Sequence, residues 1–327
     1  MTCYHASIAQ KSYGLEKRFL CPPPFVTVSS EARHNFLVSM AVVCETAERQ
    51  FEQRIILDDK MEGYLKHLYV TGTAKAKELH LRINLSQQMK SSLHASSPFT
   101  TFYSSPVTII SKPSKKSARI RNSSTCLFKN SLISLFNRIN SQTVRTKYLS
   151  TESDKLCAKH SSWTPFEVVV VKQPNHATNL NQHTVMTPIT YGSQIMLKDV
   201  HTGFLSPLVT VCKIEKGKLD SASFGLVIQM QKVALKLTSS EEPLFLSANG
   251  PVIQDDDTEN SNMNHNVNTW LKFVKSNNSE ALGADLCWTI VGVSKQTHLW
   301  NQTGHQISPP PSPPKTIIPF PIMPSVS

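Results

Sequence analysis

The feature that most constrains this sequence is a series of short apolar and β-branched runs, separated by polar breaks and without helical periodicity between them. The runs are Phe36–Cys44, His80–Leu85, Val107–Ser111, Leu132–Phe136, Thr143–Leu149, Glu167–Lys172, Gln194–Leu197, Leu208–Ile214, Gly225–Lys232, Trp270–Val274 and Cys287–Val293. Regularly spaced short strands without helices predict an all-β chain built of sandwiches or barrels. The charged stretch 45–54 suits either a short exposed helix or a loop excursion.

The length and two breaks in composition predict the domain organisation. A chain of 327 residues is long enough for two domains with sizeable cores. Residues 111–124 are rich in Ser, Lys and Arg, which favours a domain boundary there, and the prolines within 309–314 predict an extended, polyproline-like segment. The apolar runs fall far short of the roughly 20 residues that a membrane-spanning helix needs, so no transmembrane helix is expected.

Charge is distributed unevenly along the chain. The net charge is +11, and residues 1–121 hold 17 Lys and Arg against 9 Asp and Glu. Between Glu78 and Glu152 there is no acidic residue in 73 positions, whereas 11 Lys and Arg occur there. The stretch could be a solvated basic face, but surfaces built for solubility alone intersperse both signs. The absence of carboxylates therefore favours contact with a polyanion such as a nucleic-acid backbone.

Motifs for catalysis or for metal binding are absent from the sequence. It contains no GxSxG, GxxxxGK[ST], GxGxxG or HExxH, and its 11 glycines leave few for phosphate-cradling loops. The seven cysteines are scattered without a CxxC pair, so a zinc site is disfavoured. The acidic run 255–257 is interpreted as a solvated loop, because the EF-hand pattern is not matched. We expect no enzyme, no cofactor and no metal.

Three segments combine Arg and Lys with amide and hydroxyl side chains: 5–24, 111–116 and 135–148. Arginine can form two parallel bonds with guanine, Gln and Asn can bond base edges, and Ser or Lys can hold phosphate oxygens. These segments therefore carry the side chains that reading of a DNA duplex requires.

The same segments, HASIAQKSYGLEKRFLCPPP, SKPSKK and LFNRINSQTVRTKYL, resemble the signature segments of the CSL transcription factors (Suppressor of Hairless, also called RBP-J), in the family's order. The resemblance covers roughly residues 5–296. It implies a Rel-homology-like, immunoglobulin-type β-sandwich at 1–117 and a β-trefoil at 122–296. Residues 297–327 are then a Pro-rich tail that leads toward a missing C-terminal immunoglobulin-like domain, and the family's helix before His5 is missing as well. A fragment, an incomplete gene model and a reduced paralogue all fit this pattern.

The resemblance also implies roles for individual residues on double-stranded DNA. In the family the sandwich enters the major groove and a trefoil hairpin enters the adjacent minor groove of a GTGGGAA-like site. Carried over by motif, Arg18 is expected to read guanine edges, and Ser141 with Gln142 to read the minor-groove side. The residues expected to bind phosphates are Lys11, Tyr13, Lys112, Ser114, Lys115 and Arg138. Each has a structural alternative, such as a core role for Tyr13.

Partner binding is expected to differ from that of animal members of the family. Those members carry an apolar groove on the trefoil for a Notch-type or corepressor peptide, and the matching positions here are 183–185 and Leu205. His183 in place of an aromatic residue, and Leu205 in place of a small one, should weaken docking of a Trp-centred peptide. We therefore do not expect a Notch-type peptide to be a partner of this protein.

The function expected from these features is that of a nuclear, sequence-specific DNA-binding regulator of RNA polymerase II genes, which binds DNA as a monomer. One alternative is a protein-interaction scaffold of the same fold that has lost tight DNA binding. Another is a carbohydrate-binding trefoil, which is disfavoured because the sequence shows no threefold repeat of an aromatic-rich sugar motif.

Overall fold

The computed structural model describes most of the chain, in residues 1–14, 16–30, 36–44, 51–72, 74–87, 98–111, 125–138, 146–174, 187–220, 225–250, 252–253, 271–276, 281–300 and 306–307. Regular structure in these residues is β-sheet, with a 3-10 turn at Ala284–Leu286. The predicted all-β class is confirmed. Within the described ranges, no helix has the length and hydrophobicity of a membrane span.

The N-terminal strands form the two layers of a sandwich. They are β1 (Thr2–Ala6), β2 (Ile8–Gln10), β3 (Phe25–Thr27), β4 (Phe36–Val43), β5 (Glu52–Ile56), β6 (Glu62–Tyr64), β7 (Glu78–Gln87), β8 (Thr100–Tyr103) and β9 (Val107–Ile110). One sheet has the order β2-β9-β7-β4-β5 with β8 beside β7, and β1, β3 and β6 pair in the other.

Alternation along β7 places the core between the two layers. Leu79, Leu81, Ile83 and Leu85 are fully buried at every second position, as expected for a strand with one face toward a core. They pack in one cluster with residues of β1 and β3, such as Val26. The sandwich core is therefore shared by both sheets.

The strands that follow form a closed barrel with hairpin extensions. They are β10 (Leu132–Arg138), β11 (Thr146–Glu152), β12 (Lys155–Lys159), β13 (Phe166–Lys172), β14 (Gln194–Asp199), β15 (Val209–Glu215), β16 (Lys218–Asp220), β17 (Gln231–Leu237), β18 (Leu244–Leu246), β19 (Val252–Ile253), β20 (Phe273–Lys275) and β21 (Trp288–Thr297). The pairs β10–β13, β13–β14, β14–β15, β15–β17, β17–β21 and β21–β10 complete a ring, whose interior holds the second core cluster.

A cyclic set of backbone hydrogen bonds joins three segments of this barrel. Leu127 N–H donates to Val227 O (3.1 Å), Val227 N–H donates to Ile189 O (2.8 Å), and Ile189 N–H donates to Leu127 O (2.8 Å). Three residues later in each segment the backbone has a positive φ, at 63°, 85° and 64° in Asn130, Gly192 and Met230. A six-stranded barrel with this threefold arrangement is a β-trefoil, which confirms the predicted fold of this part of the chain.

Strand β21 belongs to both architectures. Its first half pairs with β10 and β17 of the barrel, and its second half pairs with β1 from Ala6↔Val293 to Thr2↔Thr297. A third core cluster, which includes Phe25, Phe136 and Trp163, fills the junction. The chain is thus continuous sheet across the junction, and the predicted domain boundaries stay a prediction.

Residues beyond β21 form a short hairpin. Strand β22 (Leu299–Trp300) pairs with β23 (Gln306–Ile307), and Trp300 packs against the sandwich core beside Phe102. The predicted polyproline-like segment at 309–314 lies outside the described residues.

Two local predictions were wrong. Residues 52–54 of the candidate 45–54 are not helical but belong to β5, which pairs antiparallel with β4. Phe51 precedes that strand without regular structure, and 45–50 lie outside the described residues. The predicted strand Gly225–Lys232 begins only at Gln231. Its apolar residues 226–228 instead take part in the threefold backbone arrangement, in which Val227 and Ile228 are buried.

Candidate nucleic-acid interface

A tight turn follows β2 in the first signature segment. Tyr13 N–H donates to Glu16 O (3.3 Å) and Glu16 N–H donates to Tyr13 O (3.0 Å). Gly14 lies at φ +54°, a left-handed conformation that glycine adopts without steric cost. The turn therefore reverses the chain and leads directly into Lys17 and Arg18.

Arg18 is held on this turn by the buried Ser12 and by the exposed side chains of Tyr13 and Glu16. Its backbone N–H donates to Ser12 Oγ (3.0 Å), and its guanidinium lies 4.8 Å from the centre of the Tyr13 ring. Its Nη2 is 3.5 Å from Glu16 Oε2, with the Arg18 side chain 24% and the Glu16 side chain 49% exposed. This ion pair engages one part of a group with five N–H donors, so the guanidinium keeps donors for another partner.

The beginning of the second signature segment is fixed beside this turn. Tyr13 Oη donates to Ser111 O (2.9 Å), and Gln10 Nε2 donates to the same carbonyl oxygen (3.1 Å). Ser111 directly precedes the predicted phosphate-binding residues, whereas Lys112, Ser114 and Lys115 themselves lie outside the described residues. The structure thus brings the start of that segment to the Arg18 turn.

Lys11 is largely engaged within the sandwich. Its Nζ donates to Ala74 O (3.0 Å), and its backbone N–H donates to Ile110 O (3.0 Å). Gly72 lies close by, where a Cβ atom would approach Ser12 O to 2.8 Å. The close approach of the backbone at Ser12 therefore requires glycine at position 72. The side chain of Lys11 is already used in a hydrogen bond within the sandwich.

Arg138 lies at the base of the trefoil hairpin formed by β10 and β11. It stands opposite Thr146 in the register, and its Nε donates to Thr146 Oγ1 (3.2 Å). Its guanidinium lies 5.4 Å from the centre of the Phe136 ring, and its Nη2 is buried without a hydrogen-bond partner among the described residues. Ser141 and Gln142, in the connection between the two strands, lie outside the described residues.

The chain that follows the Arg18 turn meets the β10–β11 hairpin at Cys21 and Tyr148. Cys21 Sγ and Tyr148 Oη are 3.4 Å apart, and both side chains are buried. Burial raises the pKa of the Cys21 thiol, and the neighbouring Arg138 guanidinium opposes that rise. Burial also raises the pKa of Tyr148 well above its ordinary value. Both groups are therefore neutral near pH 7, and this contact joins the segment after Arg18 to the hairpin base.

A second polar contact joins the same two regions. Trp163 Nε1 donates to Pro23 O (2.8 Å), and the Trp163 side chain is 2% exposed. Sequence reasoning assigned no role to Cys21, Tyr148 or Trp163. Cys21 and Tyr148 lie in signature segments, and their place there could have marked them as candidates. Nothing in the sequence indicates that the two residues meet, since 127 positions separate them.

Part of the basic charge in the acid-free stretch is used inside the protein. Arg82 lies 3.8 Å from Glu52 in the sandwich sheet, and Lys147 Nζ donates to Ala248 O (2.9 Å). Charge content alone therefore overstates how many of these cations face a ligand.

Leu205, the residue expected to narrow a partner groove, lies beside a cavity of about 470 Å³ on the trefoil. Its side chain is 46% exposed, and Leu156, Phe204, Leu271 and Phe273 line the same cavity. His183 and the rest of 183–185 lie outside the described residues, so their placement in this groove stays a prediction.

Comparison with protein families gives matches in both halves of the chain. A family described as "LAG1, DNA binding" matches residues 1–35 and 27–124, and a "Beta-trefoil DNA-binding domain" family matches residues 152–272. The chain belongs to the CSL family of transcription factors. CSL membership places these domains in a family of DNA-binding proteins that are not enzymes, which confirms the prediction drawn from the lack of catalytic motifs.

Two relatives illustrate the extent of the similarity. "Transcription factor cbf11" of Schizosaccharomyces pombe is 30% identical over 321 residues, which is 90% of this chain and 51% of that protein. The human "Recombining binding protein suppressor of hairless-like protein" is 32% identical over 234 residues, 65% of this chain and 43% of that protein. The chain thus spans about half the length of these CSL relatives.

Among solved structures, the ligand-binding domain of botulinum neurotoxin serotype D in complex with N-acetylneuraminic acid aligns with 88% of this chain and 87% of its own. The identity is 11% and the TM-score 0.28, which is too low to support an argument about the CSL fold or its ligands.

Proposed function

We propose that this chain is a sequence-specific, double-stranded-DNA-binding transcription regulator that acts in the nucleus on RNA polymerase II genes and recognises a GTGGGAA-like site. The observation that carries the proposal is the contact of Cys21 with Tyr148, because it holds the Arg18 turn and the β10–β11 hairpin in one assembly. Two reading elements held side by side suit a site read by the sandwich in the major groove and by the hairpin in the minor groove.

Arg18 is the base-reading residue of the sandwich in this proposal. A guanidinium forks two bonds onto the O6 and N7 atoms of guanine, which requires a planar group in a fixed orientation. Support for that role comes from the stacking of the Arg18 guanidinium on the Tyr13 ring. The backbone N–H of Arg18 donates to Ser12 Oγ, which fixes the turn that carries the side chain. Ser141 and Gln142 read the minor-groove edges from the hairpin.

Phosphate contacts come from the basic stretch around both elements. Lys112, Ser114 and Lys115 follow Ser111, whose carbonyl is anchored to the Arg18 turn by Tyr13 and Gln10. Contacts of this kind fix register on the duplex without specifying sequence. Tyr13, Lys11 and Arg138 contribute mainly by shaping this surface, since each already has a bond or ring contact within the protein.

Partner binding on the trefoil is weak for a Notch-type peptide in this proposal. Leu205 projects beside the 470 Å³ cavity with nearly half of its side chain exposed, and a side chain of that size occupies space that a docked aromatic residue would need. The protein binds DNA as a monomer, because the two reading elements belong to one chain.

A titration followed by fluorescence anisotropy tests the proposal. The protein is added to a labelled GTGGGAA duplex and to a scrambled duplex of equal composition, at several salt concentrations. We expect the first duplex to bind on the order of 1,000-fold more tightly. The logarithm of the affinity should fall linearly with the logarithm of salt concentration, by about 0.9 for each phosphate neutralised. Equal affinities for the two duplexes would contradict sequence-specific binding, and a salt slope near zero would remove DNA as a ligand.

A further inference from the structure

The junction between the two proposed reading elements contains two polar contacts that cross from one element to the other. Cys21 Sγ approaches Tyr148 Oη to 3.4 Å, and Trp163 Nε1 donates to Pro23 O at 2.8 Å. In both cases the chain after Arg18 supplies one partner and the trefoil supplies the other. Arg138 lies at the same place, since its guanidinium neighbours Cys21.

The surroundings of these contacts are tightly packed. Tyr148, Trp163 and Phe136 from the trefoil form one cluster with Phe25 and Cys21 from the sandwich, and all five side chains are buried. The ring centres of Phe25 and Trp163 are 6.3 Å apart, and the two rings are in an edge-to-face arrangement. Packed interiors have low compressibility and transmit small displacements, so neither element can shift here without moving the other.

The chain distances from this cluster to the reading residues are short. Arg18 precedes Cys21 by three residues, which span at most about 10 Å of extended chain. Tyr148 follows Thr146 by two residues, and Thr146 is the residue bonded to Arg138 at the hairpin base. A displacement at the junction should therefore move both the Arg18 turn and the base of the β10–β11 hairpin.

We propose that Tyr148 and Trp163 are positioning residues that fix the spacing between the Arg18 turn and the β10–β11 hairpin, so that the protein accepts a single spacing between the two parts of its DNA site. This inference rests on the proposed DNA-binding function. It adds that spacing selectivity originates at the junction and is separate from base reading by Arg18.

The test compares two double variants that remove the same chemical groups. Tyr148→Phe with Trp163→Phe removes both polar contacts of the junction and keeps aromatic rings there. Tyr191→Phe with Trp288→Phe is the matched control in the barrel: Tyr191 is buried there, and Trp288 Nε1 donates to Leu246 O at 2.9 Å. Tyr148→Phe alone, the most conservative change, is measured as well in case the junction double variant does not fold.

Binding is measured on the GTGGGAA duplex and on a duplex with one base pair inserted at its centre, which separates the two halves by about 3.4 Å and rotates them by about 34°. For the wild type and the barrel control, we expect the insertion to weaken binding on the order of 30-fold. For the junction variant we expect a penalty of only about threefold, together with weaker binding to the uninterrupted site. An unchanged insertion penalty in a folded junction variant would overturn the proposal.

A second measurement needs no DNA. Hydrogen exchange is followed at the amides of Arg18 and Leu20, which donate to Ser12 Oγ and Leu68 O within the sandwich. If the junction couples the two elements, changing Tyr148 in the trefoil should accelerate exchange at these amides by about fivefold, the factor for loss of one buried hydrogen bond. The barrel control should leave them unchanged. Unchanged exchange in Tyr148→Phe would also overturn the proposal.

The two measurements separate failure of this inference from failure of the proposed function. If the wild type does not distinguish the GTGGGAA duplex from a scrambled one, sequence-specific binding is wrong, and the exchange data still decide whether the junction couples the elements. If the wild type binds specifically and either readout fails to respond to the junction variant, the coupling alone is wrong.

Discussion

Arg18 lies in the first signature segment and Arg138 in the third, and the surroundings of the two arginines differ. Arg18 rests on an exposed turn, stacked on Tyr13 and paired with a Glu16 side chain that is about half exposed. Arg138 lies over the buried Phe136 ring, donates to the buried Thr146 hydroxyl and has a buried Nη2. The Arg18 guanidinium thus lies against the side chains of a surface turn, whereas the Arg138 guanidinium is built into the base of a hairpin.

A basic residue in a DNA-binding motif can therefore act by holding the motif's own hairpin in place. For Arg138 a large share of its contribution should appear in the stability of the protein. For Arg18 it should appear in the discrimination between bases. Four changes test this difference.

The largest effect on stability is expected for Arg138→Ala. This change removes a hydrogen bond from a charged donor, a cation–π contact and the packing of the aliphatic stem, which together should lower the free energy of unfolding by about 2–3 kcal/mol. Arg138→Met should recover most of that loss, since it keeps the stem and removes a buried charge whose Nη2 has no partner among the described residues. Urea unfolding followed by tryptophan fluorescence measures both. An alanine variant as stable as the wild type would show that Arg138 is not part of the hairpin base.

A somewhat smaller change, in binding, is expected for Arg18→Ala. Loss of a bidentate bond to guanine should weaken binding to the GTGGGAA duplex by about 1–3 kcal/mol and binding to random duplex much less. The free energy of unfolding should fall by less than about 1 kcal/mol, because the ion pair with the half-exposed Glu16 and the cation–π contact with the exposed Tyr13 ring both lie at the surface.

The matched control is Lys275→Ala, which removes one positive charge from an exposed ion pair with Glu242 on β20. That variant should bind both duplexes as the wild type does, apart from a small effect of net charge. If Arg18→Ala lost affinity equally on both duplexes, as expected for a phosphate contact, the base-reading role would be wrong.

A third test concerns the pH dependence at the hairpin base. Burial raises the pKa of Tyr148 well above its ordinary value of 10, so the folded protein keeps this proton while the unfolded chain loses it above pH 10. The stability from Tyr148 is therefore fully present below pH 10 and falls as the pH rises further, by about 0.5–1 kcal/mol at roughly pH 10.5. Tyr148→Phe should flatten this decline in urea unfolding at pH 8 and pH 10.5. Tyr103→Phe, at a side chain 52% exposed, serves as the control, and parallel curves for Tyr148→Phe and the wild type would exclude this contribution.

The smallest effect is expected for Glu16→Gln. The substitution removes the ion pair at 3.5 Å and one negative charge beside the proposed guanine contact. Stability should change by less than about 0.5 kcal/mol, while affinity for the GTGGGAA duplex should rise about twofold. Weaker binding of the glutamine variant would mean that Glu16 is needed to orient Arg18.

Parts of the fold could be predicted from the sequence where residue types determine the local structure. The β-branched runs Phe36–Cys44 and Leu208–Ile214 nearly coincide with β4 and β15, because such residues fit a half-buried pleated surface. The prediction of a strand at Gly225–Lys232 failed because Val227 pairs by backbone hydrogen bonds with Leu127 and Ile189 in the threefold arrangement, and the strand begins only at Gln231. That symmetry is hidden in the sequence, because the three left-handed positions share a backbone conformation but not a residue type.

The candidate site was predictable to the same degree. Motifs identified Arg18 and Arg138, since arginine in a signature segment points to nucleic-acid contact. They did not indicate that Arg18 has exposed neighbours and Arg138 buried ones, because the surroundings of each arginine depend on the rings and hydroxyls that the fold brings beside it. The junction of Cys21 with Tyr148 joins residues far apart in sequence, and only the three-dimensional structure identifies it.

The pairing of β1 with β21 has a consequence for the order in which this chain can fold during translation. The ribosome releases Thr2 long before its partner Thr297, which stands 295 positions later and meets it at 3.1 Å between the two hydroxyl oxygens. Until then one edge of β1 is unpaired, and an open strand edge is a template for wrong pairing. The sandwich therefore cannot be completed by a nascent chain that has only reached the trefoil, and the synthesis of β21 finishes both domains at once.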